Sequence, residues 1–248
     1  MRRTSLETGE AGLPQGADKA VAVRAMFDRI APRYELVNHL ITFRLDGPWR
    51  RSAVESLALP AGSAVLDLAC GTGDLCRALG AAGHRAVGAD LSWGMLAHAK
   101  LRGSLLQADG GALPLRTGCL DGVTCGFALR NFADLPAVLG EVARVLRAGG
   151  RLAILEVDRP RAAILRAGHL VWFEKVVPAL GGMLSDPAAY RYLPRSVSYL
   201  PGREELAGLI GKAGFEDVRH RALAGGAAQL LTATLGERQP AVAPSAAR

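Results

Sequence analysis

The sequence is poor in the groups on which most metal, redox and covalent enzymes depend. Aromatic residues make up 5% of its 248 positions. Its four cysteines, Cys70, Cys76, Cys119 and Cys125, form no C-x-x-C pair, which argues against a zinc site or a dithiol couple. The five histidines show no ligand spacing, so no metal is expected. No Gly-Lys-Ser/Thr follows a glycine loop, which excludes a phosphate-cradling P-loop. The longest apolar stretch, 162–184, is broken by Arg166, His169, Glu174, Lys175 and Pro178, so no simple membrane span is expected. Nothing apolar follows the arginines of MRRTSLETGEAG, so a secretory signal is not expected either. These readings point to a cytoplasmic chain with reduced thiols.

What is present suits one sizeable α/β core: 50% hydrophobic residues, 30 glycines and a mass of 26.0 kDa. The net charge of +7 comes largely from scattered arginines, which favours a solvated basic surface over a nucleic-acid or membrane contact. No nucleic-acid partner is expected, because ALRN stands where DNA amino-methylating enzymes have Asn/Asp-Pro-Pro-aromatic and no Pro-Cys pair occurs. Residues 1–17 and 237–248 lack periodicity and read as tails; 18–236 form the domain. Short apolar runs at 64–69, 85–89, 104–108, 121–127 and 151–157 read as buried parallel strands. Two more, near 215–223 and 227–235, flank Gly-Gly and suggest a hairpin with an antiparallel strand. The stripe Val138, Leu139, Val142, Val145, Leu146 marks a helix over 135–147, capped by Asp134 and ended by Gly149-Gly150. The alternation of strand and helix is that of a doubly wound sheet. Residues 18–56 read as a helical lid broken at Pro32, with Phe27, Ile30, Tyr34 and Val37 on one face, and 160–201 as a helical insertion.

The run VLDLACGTGD joins the first strand to a helix through Gly71, Thr72 and Gly73. A dinucleotide fingerprint needs glycine or alanine where Cys76 stands, which argues against a nicotinamide oxidoreductase. Asp67 and Asp74 flank the loop, and carboxylates at its mouth would repel a pyrophosphate. A cationic nucleoside fits better. S-adenosyl-L-methionine carries a sulfonium, a ribose and an adenine, and no phosphate. Asp90 ends the second strand, where it can accept the ribose hydroxyls, and Asp109-Gly110 end the third, beside the adenine amine.

The segments MFDRIAPRYELVNHLITFRLDGPWRR, VLDLACGTGD, ADGGALPL, GFALRN, EVARVLRAGGRLAILE, AYRYLPRS and AGFEDVRHRALAGG resemble the C-methyltransferases of menaquinone and ubiquinone biosynthesis. The likeness covers about residues 21–233. It implies an α/β, class I S-adenosylmethionine-dependent methyltransferase: a Rossmann-like, doubly wound, seven-stranded sheet with an antiparallel last strand. It implies cofactor contacts from Thr72, Asp90, Asp109 and Gly110, with Gly126 where the family usually has serine. Ala224, Leu231 and Ala233 stand where the family tends to have Thr, His and Gly, at the expected edge of the site, which leaves another aromatic or polyketide-like acceptor open.

The expected acceptor is a lipophilic quinol, demethylmenaquinol foremost. Its ring carbon becomes nucleophilic once a neighbouring hydroxyl loses its proton, so in-line positioning is the main requirement. Arg130 and Asn131 follow the fourth strand; Arg130 is assigned to the developing quinolate oxygen and Asn131 to a water that takes the proton. Tyr190 and Tyr192 can cover a flat ring, and Tyr34 and Asn38 can approach it from the lid. The basic, apolar segment RPRAAILRAGHLVWF suits peripheral contact with a membrane.

Overall fold

The computed structural model describes residues 14–42, 44–101, 104–158, 160, 172–184 and 186–237. Residues 1–13 and 238–248 of the expected tails, and most of the segment 159–173 read as a membrane contact, lie outside the described residues; Gly16 and Ala17, expected in the tail, begin the first helix instead.

Seven strands form one sheet: β1 (Ala64–Leu68), β2 (Arg85–Asp90), β3 (Ser104–Gln107), β4 (Leu120–Gly126), β5 (Leu146–Val157), β6 (Phe215–Leu223) and β7 (Ala228–Leu235). Their order is β3-β2-β1-β4-β5-β7-β6. β7 runs antiparallel to both of its neighbours, and the strands before it pair in parallel. The order reverses beside β1, so a crevice opens at the carboxyl ends of β1 and β4, the place where open α/β sheets bind ligands. Leu66, Val123, Ile154 and Leu231 are buried at the centre of the main core, on which helix α6 (Leu135–Val145) packs its Val138, Leu139 and Val142. Asp134 caps that helix by accepting from the Ala137 amide, as expected.

The end of the helix differs from expectation. It stops at Val145, and the strand begins at Leu146. Gly149-Gly150 do not terminate the helix; they lie in an irregular stretch of β5, where pairing jumps from Leu120↔Leu146 to Gly122↔Arg151 and Gly149 takes φ 72°. A glycine pair after an apolar stripe reads as a helix stop, but here it serves a bulge.

Ahead of β1 come α1 (Gly16–Ile30), α2 (Tyr34–Ile41) and α3 (Asp46–Ser56), with Pro32 in a single 3₁₀ turn between the first two. Proline at the start of a turn costs no hydrogen bond, and here it redirects the chain. Met26, Ile30 and Val37 are buried with Tyr190 and Tyr192 of a helix at Pro187–Ser196. The lid and the insertion therefore share a second, smaller core. Lys19 fastens this layer to the sheet: its Nζ donates to the Phe132 carbonyl at 2.7 Å and lies 3.7 Å from the Tyr199 ring centroid.

Candidate active site

Two cavities meet beneath the lid. The first, about 330 Å³, is lined by Leu68, Gly71, Asp90, Asp109, Gly110 and Gly126 from the strand ends and by Val23, Arg24 and Phe27 from α1. The second, about 410 Å³, lies between lid and insertion and is lined mainly by apolar groups such as Met26, Ile41, Trp49, Trp172 and Val177. Phe27, Tyr34, Phe127 and Asn131 line both and form their common wall. Phe127 holds a left-handed φ of 57°, uncommon for a bulky residue and the kind of local strain that collects at functional sites.

In the first cavity, Asp90 sits at the end of β2 with its carboxylate already ordered. Oδ2 accepts from the Gly71 amide and Oδ1 from the Ser92 amide, both at 2.8 Å. Burial raises its pKa despite those bonds. Asp109 Oδ1 accepts from Gly111 at 2.9 Å, which tightens the turn presenting Gly110. Gly126 leaves room filled by a neighbour: a Cβ there would lie 2.8 Å from Leu75 Cδ1. Glycine in place of serine is thus matched by leucine reaching into the gap.

The loop's remaining residues are placed differently from expectation. Thr72 and Gly73 do not line either cavity. Gly73, with φ 87°, starts helix α4 (Asp74–Ala81), and Thr72 is buried with its hydroxyl beside Glu35 of the lid. The flanking carboxylates are not at the mouth. Asp67 is buried beneath the loop, with Cys76 Sγ at 3.4 Å and Thr124 Oγ1 at 3.1 Å. Asp74 pairs with Arg50 of α3 and with Arg77. The repulsion argument against a pyrophosphate therefore does not hold; what remains is a cleft with Asp90 and Asp109 in its walls.

Arg50 bridges Asp74 and Asp46, and Asp46 also accepts from Thr42 Oγ1 and Asn38 Nδ2. A ligand atom each from His39, Asp46 and Asp74 lie within 4.8 Å of one another, a grouping across three helices that no sequence spacing displays. The guanidiniums of Arg50 and Arg77 together balance the two carboxylates, so the cluster reads as an ion-pair network tying lid to glycine loop.

The second cavity collects the expected acceptor residues. Tyr34, Asn38, Arg130, Asn131, Tyr190 and Tyr192 all line it. Tyr192 Oη lies 3.4 Å from Asn131 Oδ1, and burial pushes its pKa up. Arg130 is buried and ion-paired with Glu156 at the end of β5, and its Nε donates to Ser196 Oγ at 3.2 Å. Glu156 also accepts from the Leu129 amide at 2.9 Å. The sequence reading missed Glu156, Phe127 and Trp172. The signal for the first two was their position at the carboxyl ends of β5 and β4. Of the three closing-motif departures, Ala224 lines the acceptor cavity, whereas Leu231 and Ala233 are buried in the main core, away from the site.

A seven-stranded sheet of this order, with a cleft at its switch point walled by Asp90 and Asp109, has the Rossmann-like architecture of class I methyltransferases. The chain belongs to the ubiE/COQ5 methyltransferase family, whose model matches residues 15–234. It is 45% identical over 212 residues to the ubiquinone/menaquinone biosynthesis C-methyltransferase of Syntrophotalea carbinolica, covering 82% of this chain and 90% of that one. It is 44% identical over 215 residues to the demethylmenaquinone methyltransferase of Thermus thermophilus, covering 83% and 97%. Among solved structures, the fold is similar to Haemonchus contortus phosphoethanolamine N-methyltransferase 2 in complex with S-adenosyl-L-methionine, with a TM-score of 0.62 and 14% identity, covering 87% of this chain and 60% of the other.

Proposed function

We propose that this methyltransferase transfers the methyl group of S-adenosylmethionine to a ring carbon of a prenylated hydroquinone, demethylmenaquinol foremost. The observation that carries the reading is the common wall of Phe27, Tyr34, Phe127 and Asn131 between a cleft with strand-end carboxylates and a larger apolar cavity. The names of the curated relatives supply the acceptor. The fit to the donor rests on Asp90 and Asp109, the hydrogen-bond acceptors a ribose and an adenine amine need, and on Gly71, Gly110 and Gly126 in the same lining, with open space where a side chain would stand at Gly71. When bound, S-adenosylmethionine supplies an activated methyl on a sulfonium. The protein's part is to hold a flat ring in line with it, through Tyr34 and Phe127 on one side and Tyr190 and Tyr192 on the other. Arg130 draws the ring oxygen towards its charge as the carbon attacks, and Asn131 holds the water that removes the proton.

The supporting experiment is incubation of purified protein with labelled donor and reduced demethylmenaquinone, followed by mass spectrometry for one added methyl. An oxidised quinone has no hydroxyl to ionise and an electron-poor ring, so turnover is expected only with a reductant present. Equal rates on quinone and quinol would contradict the mechanism.

Asp90→Ala is expected to weaken donor binding by about 2–3 kcal/mol, the scale of a lost charge-assisted contact, because it also releases the Gly71 amide. Titration calorimetry on folded variant protein measures this, and an unchanged affinity removes Asp90 from the donor site.

The same reading of a lipophilic acceptor places the protein in peripheral contact with the membrane that dissolves it. Among the described residues no helix is long and apolar enough to cross one.

A further inference from the structure

Helix α2 has two differently used faces. Val37 is fully buried, while Tyr34, Asn38 and Ile41 line the acceptor cavity. Its outward face carries Leu36 and Leu40, one turn apart and 56% and 44% exposed, and Leu45 follows in the next turn at 44%. These three fall within ten residues of one another, whereas the other large exposed apolar residues among the described ones, Val21 and Trp93, lie elsewhere in the sequence. Leu45 also lines the acceptor cavity, and with Ala224 it is one of the exposed residues of that lining. Leu45 thus belongs both to this run of exposed leucines and to the cavity lining.

The exposed charge of this stretch is cationic. Between residues 31 and 51 the chain has three exposed arginines, 33, 44 and 51, the buried Arg50, and two carboxylates, Glu35 and Asp46, neither of them exposed. Glu35 pairs with Lys100 and Arg77, and Asp46 is buried against Arg50. Arg44 is exposed between Leu40 and Leu45. Lys175 is exposed in the turn whose Trp172 Nε1 donates to the Ile41 carbonyl at 3.1 Å, which ties that turn to the end of α2. Leucines on one side of a helix end, ringed by cations, match a lipid interface, where acyl chains take the leucines and phosphates take the cations. A ridge of three leucines is too small for a stable protein interface, which needs about 800 Å² from each partner.

We propose that the outer face of Tyr34–Ile41, with the turn reaching Leu45, seats the protein on an anionic bilayer so that a prenylated acceptor enters the cavity directly from the membrane. The inference rests on the reading of the acceptor as a lipophilic quinol. It names the surface that meets the membrane, and an exposed ridge that shares Leu45 with the cavity lining would let a prenyl tail remain in lipid while the ring reaches the common wall.

The test uses the full chain with vesicles of phosphatidylcholine mixed with phosphatidylglycerol, and with phosphatidylcholine alone. The wild type is expected to co-sediment with the mixed vesicles, less with the neutral ones, and less as salt rises. Leu36→Glu/Leu40→Glu, which alters neither cavity lining, is expected to reduce partitioning by about tenfold or more at an unchanged melting temperature. Its rate on a tail-less, water-soluble naphthohydroquinol should equal that of the wild type, and its rate on vesicle-borne prenylated quinol should fall in proportion to binding. Leu36→Ser/Leu40→Ser, which adds no charge, should give the same pattern with a smaller loss. Equal partitioning of folded wild type and variants overturns the proposal, as does a wild type that ignores anionic vesicles. A variant that instead turns a dimer into a monomer in sedimentation velocity overturns it in favour of a second copy. If neither quinol is methylated by any form, the functional reading falls while the sedimentation result still decides the docking surface.

Discussion

Arg130→Ala is expected to lower kcat by about 100-fold or more and to destabilise the protein by roughly 3–5 kcal/mol. The first effect follows if the guanidinium holds the ring oxygen as charge develops on it, an interaction stronger in the transition state than before it. The second follows from Glu156, which is 0% exposed and would be left as a buried charge without its partner. The two roles separate in the double variant Arg130→Met/Glu156→Gln, which removes both charges. It should recover much of the lost stability and none of the lost rate. Arg130→Lys should regain only part of the rate, since an ammonium cannot reproduce the planar fork shared by Glu156 and Ser196. Melting temperature and kcat measured on the same preparations check this. Full activity in a destabilised Arg130→Ala would make the residue a fastener of β5 to the insertion and nothing more.

Stability should fall as pH rises through neutrality, and Asp67→Asn should abolish that fall. Burial raises the Asp67 carboxyl from its usual 3.8 to about 7. The folded state thus holds this proton more tightly than the unfolded chain does. Its contribution is whole below about pH 4 and is lost as pH climbs through 7, to a limit of roughly 4 kcal/mol. Urea unfolding of wild type and Asp67→Asn at mildly acidic and mildly alkaline pH gives the difference directly, free of trends shared by both proteins. An identical pH dependence in the two would mean that Asp67 is ionised in the fold at a normal pH.

The centre of the sheet was legible because β1, β4 and the second half of β5 are short apolar runs set off by glycine or polar residues, a pattern that burial between two helical layers imposes. The early start of β5 was not, since Gly149-Gly150 after an apolar stripe has the same appearance whether it ends a helix or forms a bulge. The strand ends carried the first cavity: Gly71, Asp90, Asp109, Gly110 and Gly126 all line it. Partnerships were hidden. Asp67 looked like a mouth carboxylate because only the pleat of β1 decides which way it faces. Glu156 lies 26 positions from Arg130 and meets it across β4 and β5. Arg50 pairs with Asp74 from a different helix, which no local pattern announces.

The four-residue wall between the cavities constrains how such an enzyme can change over evolutionary time. Phe27 and Tyr34 come from the lid, and Phe127 and Asn131 from the strand end, so no single segment owns either chamber. On the proposed reading, a substitution in that wall made to admit a different ring also reshapes the first cavity. Drift towards new acceptors would then be channelled away from the wall and into Asn38, Ile41, Trp172, Tyr190 and Ala224, which border the second cavity alone. Divergence among relatives with different acceptors should accumulate at those positions, and the wall should lag behind.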